Sequence, residues 1–328
     1  MSTRPNRSCD DCSPSVDRRS FLQTVGGSAL AGLAANALWN PASIYAAPTP
    51  QSAAESAVGR LHATLTDAQK KTILFPFDHE LRNRINANWH ITKPLIRSDF
   101  YTKEQRDLVT EIVRNITTPD GFERVQKQTD YDDGGLGGYS IAIFGTPGEK
   151  CQFELTGRHL TLRADGNSVD KAAFGGPIVY GHGEEDPKEN LFGYQTKQVN
   201  EVFKALDAKQ AKVALLNKAP TESAVDLQGS GKTYPGLAVS ELSADQKGLV
   251  EKTLKVLLGP YRSEDTDEVM AILKESGGLD QLHLAFYQQG DLGNDKVWDI
   301  WRVEGPSFVW HFRGAPHVHA YVNIGMVG

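Results

Sequence analysis

The chain has 328 residues, of which 39% are hydrophobic and 23% charged, with a formal net charge of −6 and a mean hydropathy of −0.40. These values are typical of a globular protein with one large or two small domains, and they exclude a largely disordered or membrane-embedded chain. No basic run follows the pattern needed to track a phosphate backbone, so nucleic acid is not an expected partner.

The N-terminus carries a twin-arginine signal motif, with the sequence DRRSFLQ at residues 17–23. Residues 24–38 are weakly apolar and rich in glycine and alanine, which makes them too short and too flexible for a membrane anchor. We therefore predict that residues 1–46 are a signal peptide read by the twin-arginine export machinery, with cleavage near Ala46. The mature protein is expected to be periplasmic or secreted.

Residues 47–60 are rich in Pro, Ala and Ser and are predicted to be a linker, followed by a single α+β domain over residues 61–328. Four helix starts are predicted where Thr, Asp or Ser precedes Gln by three residues, the spacing of a capping box. The four pairs are Thr66/Gln69, Thr102/Gln105, Asp207/Gln210 and Ser243/Gln246. A further helix is predicted over residues 265–274, and residues 279–287 are predicted to be another helical segment.

Six short segments alternate apolar and polar residues between Gly/Pro turns, the pattern of β-strands. They are residues 139–144, 152–155, 159–163, 299–303, 308–313 and 317–324. The sequence thus predicts an α+β fold in which capped helices are followed by short antiparallel β-meanders. The two groups of strands, with FELTG at 153–157 laid on WHFRG at 310–314, suggest an internal two-fold duplication with pseudo-repeats at about 61–180 and 238–328. Chance similarity is the other interpretation. The polar segment 221–236 is predicted to be a loop that connects the halves.

Histidines on the polar face of these strands are candidate metal ligands. Side chains alternate faces along a strand, so His317 and His319 point the same way and can bind one metal ion. His159, His311 and Glu154 are expected on the polar side as well. Three imidazoles and a carboxylate suit one divalent transition metal, zinc, iron or copper, with Glu154 as ligand or general base. A solvated sheet face carries the same residue types, so that interpretation stays open.

Two other motifs are weaker. The GSGKT sequence at 229–233 lacks the glycine that a phosphate-binding loop needs at position 226, and the acidic run at 130–134 lacks calcium-loop spacing. The Gly-rich aromatic segment 174–183 can let a small molecule or glycan approach the backbone.

The segments FGTP at 144–147, FELTGRHL at 153–160, FGGP at 174–177 and HVH at 317–319 resemble the domain-of-unknown-function 3500 family. The resemblance covers the chain from about Thr66 onwards. It implies a shared fold and a shared His-lined site, and no reaction. Where the family shows Gly-His-His-Leu, this chain has Arg158 in place of the first histidine.

Three functions are compatible with these observations. The first is an exported metal-dependent enzyme, and the second is a non-catalytic periplasmic or secreted protein that binds a small molecule or glycan. The third is a structural or assembly protein of the cell envelope. Metal content separates the first from the other two.

Overall fold

A mixed sheet of eleven strands organises residues 46–327, the part of the chain that this computed structural model describes. The predicted twin-arginine signal lies outside the described residues, apart from Ala46. The strands are β1 (Leu74–Phe75), β2 (Ser140–Gly145), β3 (Cys151–Gly157), β4 (Leu160–Ala164), β5 (Ile178–His182), β6 (Leu215–Leu216), β7 (Leu237–Ala238), β8 (His283–Tyr287), β9 (Ile300–Gly305), β10 (Phe308–Arg313) and β11 (Val318–Ile324).

The strand order is β1-β2-β3-β4-β5-β11-β10-β9-β8-β6, and β7 pairs with β8. Neighbouring strands are antiparallel except at β1/β2 and β6/β8. All six predicted strands are present, with ends that differ from the prediction by at most two residues. The prediction of short antiparallel meanders is thereby confirmed.

Eight α-helices accompany the sheet within residues 46–327, so the predicted α+β class is confirmed. They are α1 (Ala53–Thr64), α2 (Asp67–Ile73), α3 (Lys103–Asn115), α4 (Pro119–Asp133), α5 (Gly193–Lys204), α6 (Ala208–Ala214), α7 (Ala244–Leu258) and α8 (Ser263–Glu275). None of these described helices combines the length and apolar character needed to cross a bilayer.

The four predicted capping boxes are all formed, at the starts of α2, α3, α6 and α7. The glutamines of these boxes also bind one another. Gln69 and Gln105 exchange amide hydrogen bonds of 2.8 and 3.1 Å. Gln210 and Gln246 do the same at 3.2 and 2.8 Å. Each reciprocal pair therefore joins two helix starts that are distant in sequence.

The linker prediction fails over residues 53–60, which belong to helix α1. Alanines that suggested an irregular segment face the core instead: Ala54 and Ala57 are fully buried, as is Leu61 one turn later. The helix is also tied to the rest of the fold, because Arg262 donates two hydrogen bonds of 2.8 Å to the Glu55 carboxylate. An Ala-rich composition favours helix wherever its small side chains can pack.

The predicted helical segment at 279–287 is also wrong. It is a 3-10 turn, Leu279–Gln281, followed by strand β8. Residues Leu284 and Phe286 share one buried face and lie opposite Val303 and Trp301 of β9. A short apolar run fits both periodicities, and pairing with β9 decides between them.

Helix α5 packs on the apolar face of the sheet. Phe203 of α5 contacts Phe286 with ring centroids 4.9 Å apart, and Gln195 of α5 accepts a hydrogen bond from the Tyr180 hydroxyl. Two long irregular segments, one containing Ala87 and the other Val225, cover the opposite, more polar face. Their buried contacts form one cluster there: Ala87, Val179, Val225, Val309 and Tyr321. The segment 221–236 is irregular, as predicted, and it lies between β6 and β7.

The pairing of β5 with β11 joins β1–β5, which precede residue 183, to strands formed after residue 214. Its register runs from His182↔Val318 to Ile178↔Val322 and sets Gly181 opposite His319. A Cβ atom on Gly181 would lie 2.2 Å from the Val318 carbonyl oxygen and 3.2 Å from the His159 Cβ. The close approach at this seam therefore requires glycine.

We expect Gly181→Ala to lower the free energy of unfolding by about 1–3 kcal/mol, because the added methyl group meets backbone that must shift. Gly248→Ala is the matched control. Gly248 lies inside α7 with open space around its Cβ position, so alanine should stabilise the protein by about 0.5–1 kcal/mol. Urea unfolding of both variants checks this, and equal effects would contradict the tight seam.

Candidate metal centre

Three histidine rings meet at one end of the β5/β11 seam. Ligand nitrogens of His159, His317 and His319 all lie within 4.8 Å of one another. The ring centroids are 4.8–4.9 Å apart for each pair, which makes the arrangement close to an equilateral triangle. The Nε2 atoms of His317 and His319 are 3.1 Å apart. We call these three residues the three-His group.

Local backbone geometry brings His159 to this point. The prediction that His159 begins a strand is wrong. It lies in the tight turn between β3 and β4, with a left-handed φ of 57°. Its backbone N–H donates to the Ala87 carbonyl at 2.6 Å. Because Gly181 has no side chain, the turn lies directly beside the start of β11. His319 lies on β11 opposite Gly181, and His317 comes directly before that strand, so the two rings meet as the H-x-H spacing predicts.

Carboxylates hold two of the three rings. Asp132 Oδ2 lies 2.8 Å from His159 Nδ1, and Glu222 Oε1 lies 3.0 Å from His319 Nδ1. Asp132 is itself fixed by hydrogen bonds from Gln128 Nε2 and the Gly183 N–H, at 2.9 and 3.0 Å. An anionic oxygen at Nδ1 favours the tautomer with its proton there, which leaves Nε2 as a free electron-pair donor.

The electrostatics favour neutral imidazoles. Burial, with help from His319 and His159, lowers the pKa of His317 to about 4. Burial is also the largest cause that lowers the pKa of His319, although Glu222 opposes it. Burial acts to raise the pKa of Asp132 and of Glu222, but the hydrogen bonds from the histidines outweigh it and both pKa values are lowered. At neutral pH no proton needs to leave His317 or His319 before a metal ion binds.

The three-His group is closed on one side and open on the other. The His159 side chain is 4% exposed and the His319 side chain 15% exposed, while His317 is half-buried. Among residues 46–327, no fourth His, Cys, Asp or Glu completes a larger group with them. Three protein ligands with an accessible fourth position is the arrangement of catalytic rather than structural zinc sites.

Comparison with known proteins identifies a family. A family model described as Protein of unknown function (DUF3500) matches residues 47–323, most of the chain. The chain belongs to the DUF3500 family. The resemblance noted in the sequence is thereby confirmed, and the match includes helix α1. No curated protein and no solved structure matches this DUF3500 protein, so the chemistry is argued from its own geometry.

His311 lies on the same sheet face as His319 but is not part of the three-His group of this DUF3500 protein. It sits on β10, opposite Arg302 of β9 and Tyr321 of β11. Burial, reinforced by Arg302, lowers the pKa of His311 to about 3. The sequence therefore predicts its face correctly, and the structure places it one strand away from the group.

Glu154 is likewise placed apart from the three-His group. Its fully buried carboxylate accepts a hydrogen bond of 2.8 Å from Arg163, its cross-strand neighbour on β4. Burial raises the pKa of Glu154, and Arg163 opposes that rise. Arg163 also donates to the carbonyls of Arg82 and Pro177. The pair thus ties β3 and β4 to the segments that flank them.

Sequence reasoning missed Asp132 and Glu222. Asp132 lies in the acidic run that lacks calcium-loop spacing, and it is buried in the last turn of α4. Glu222 lies in the segment read as a connecting loop. No local pattern marks either residue, because each meets its histidine only through the fold.

Proposed function

We propose that this DUF3500 protein is an enzyme that uses one divalent transition metal, zinc, iron or copper, bound through the Nε2 atoms of His159, His317 and His319. The observation that carries the proposal is the convergence of three imidazoles, two of which have a carboxylate on Nδ1. Carboxylate–histidine pairs of this kind orient ligands in metal proteins and raise their basicity. A polar sheet face in solvent has no need of such pairs.

The hydrogen bonding of His317 supports the same conclusion. Within the described part of the chain, its buried Nδ1 has no hydrogen-bond partner, and its Nε2 faces His319 Nε2 at 3.1 Å. With the His319 proton held at Nδ1 by Glu222, His319 Nε2 presents a lone pair, and His317 Nε2–H can donate to it across this contact. A metal ion in the same place would accept electron pairs from both nitrogens.

The residues around the group have separable roles. Asp132 and Glu222 orient His159 and His319, and the turn that carries His159 closes the buried side. The half-buried side at His317 gives water and substrate access. A metal ion at such a site supplies Lewis acidity and lowers the pKa of a bound water, which suits hydrolytic or oxygen-centred chemistry.

Metal content is the first test. We expect about one metal ion per chain in protein purified from the periplasm of a host with a twin-arginine system, and none in a His317→Ala/His319→Ala variant. Elemental analysis measures this. His90→Ala is the control, because His90 is exposed and lies outside the three-His group. A folded wild-type protein without metal would contradict the enzyme proposal and favour an exported binding protein.

The carboxylates give a graded prediction. We expect Asp132→Asn and Glu222→Gln each to weaken metal affinity about 10- to 100-fold without abolishing binding, since the ligands remain but lose their orientation. Competition with a chromogenic chelator measures the affinity. Asp107→Asn removes an exposed carboxylate paired only with Lys103 on α3 and should leave the affinity unchanged. Identical affinities for all three variants would argue against a metal held by His159 and His319.

We also propose that the protein is exported by the twin-arginine route. Arg18-Arg19 and the short Gly-rich apolar segment after them support this. Fractionation of cells should find the mature chain in the periplasm, and an Arg18→Lys/Arg19→Lys chain should stay in the cytoplasm. Periplasmic recovery of that variant at the wild-type level would count against this route.

We propose, finally, that the chain arose by duplication, with different boundaries from those suggested by the sequence. Residues 53–182 follow the order α-α-β-α-α-β-β-β-β, and residues 193–324 repeat it with β7 added. In each half the paired capping glutamines are 36 residues apart. On this alignment β3 matches β9, not β10. Superposition of the two halves is the check, and agreement limited to one or two elements would contradict it.

The two halves would then differ at the site. The first half has Asp132 at the end of its fourth helix and His159 in the turn after β3. The corresponding places in the second half hold Ser276 and Ser307, whose hydroxyls are 2.6 Å apart. This arrangement supports a single metal centre in the duplicated fold.

A further inference from the structure

We infer that the substrate of the three-His group carries a small terminal oxyanion, a carboxylate or a phosphoryl group, which binds to Arg158 while it approaches the metal. This inference rests on the proposed metal site and names its substrate class. The observation behind it is the position and unused bonding capacity of the Arg158 guanidinium.

Arg158 lies at the mouth of the site. The point where Gly183 would carry a Cβ atom is 3.3 Å from Arg158 Nη2 and 3.5 Å from His159 Cε1. Cε1 lies between the two ring nitrogens, and the same point is 2.5 Å from Asp132 Oδ1, so the guanidinium stands beside the His159–Asp132 pair. Arg158 also contributes to the positive field that acts on His317.

The guanidinium of Arg158 remains available. Its side chain is 46% exposed, and its contact with Asp132 Oδ1 is a long 3.9 Å. Within residues 46–327 it donates no hydrogen bond, although a guanidinium has five N–H donors in a planar fork. Such a fork matches the two oxygens of a carboxylate or phosphoryl group.

Arg313 provides the contrast on the other side of the group. Its Nε lies 2.7 Å from Glu222 Oε2, and its Nη1 donates to the Ala315 carbonyl at 3.3 Å. Its side chain is 20% exposed. Arg313 is therefore a positioning residue that holds Glu222, and through it His319, whereas Arg158 faces the opening.

The local charge agrees with an anionic ligand. The carboxylates of Asp132 and Glu222 balance the guanidiniums of Arg158 and Arg313. A divalent metal then leaves the site positive. A small oxyanion fits this field better than a neutral or extended anionic ligand.

The test uses the full mature chain loaded with Co²⁺, whose visible spectrum reports ligands at the metal. Acetate and inorganic phosphate are titrated separately into the wild type, Arg158→Gln and Arg158→Lys, with imidazole as a neutral metal ligand. We expect Arg158→Gln to weaken binding of acetate, phosphate or both about 10- to 100-fold, the loss of a charge-assisted pair. Arg158→Lys should lose less. Co²⁺ and imidazole affinities should not change.

The control is Arg60→Gln. The Arg60 side chain is 56% exposed, similar to that of Arg158, and it pairs with Glu111 outside the three-His group. It should bind both anions like the wild type. A larger loss for acetate identifies a carboxylate substrate, and a larger loss for phosphate identifies a phosphoryl substrate. If Arg158→Gln binds Co²⁺ and still binds both anions with the affinity of the wild type, this inference is overturned and the proposed metal site is not. Failure of the wild type to bind Co²⁺ overturns the metal site and this inference together.

Discussion

The antiparallel pairing of β5 with β11 is the contact on which the site depends. It joins the two groups of strands in the sheet, and its register sets His319 opposite Gly181. The same glycine leaves room for the turn that carries His159, whose Cβ lies 3.2 Å from the position a Gly181 Cβ would occupy. One backbone approach therefore supports the sheet and assembles three histidines from two distant parts of the chain. A shift at this seam would disturb stability and ligand geometry together.

The second constraint is electrostatic. Burying polar rings costs free energy unless their nitrogens find partners, and the fold supplies partners mainly on the Nδ1 side. Asp132 serves His159 and Glu222 serves His319. Each carboxylate has a further partner, since the Gly183 N–H donates to Asp132 and the Arg313 guanidinium forms an ion pair with Glu222. The Nε2 side is left to the centre of the group. Two of the three Nδ1 atoms are thus paired with carboxylates, as is common for metal-ligating histidines, while His317 Nδ1 has no hydrogen-bond partner within residues 46–327.

How much the sequence predicts depends on the range of each interaction. The four capping boxes involve residues three apart, and all four form. The H-x-H spacing of His317 and His319 is equally local and gives their common face. Alternation along a strand does not give the distance between side chains on different strands. The sequence therefore predicts the sheet face of His311 and Glu154 but not their separation from the three-His group. The carboxylate partners are beyond any local pattern, because Asp132 is 27 residues from His159 and Glu222 is 97 residues from His319. The segment at 279–287 failed for a related reason, since its pairing with β9 overrides an ambiguous apolar run.

The proposed duplication bears on why the site is built from both halves. On the proposed duplication, the seam between β5 and β11 has two corresponding ends. At one end the turn after β3 supplies His159, and the start of β11 supplies His317 and His319. At the other end the turn after β9 carries Ser307, and the start of β5 follows Gly176-Pro177, which offers no ligand side chain. The residues of the three-His group therefore come from both proposed copies. The corresponding positions in the second half hold Ser276 and Ser307, whose hydroxyl oxygens are 2.6 Å apart.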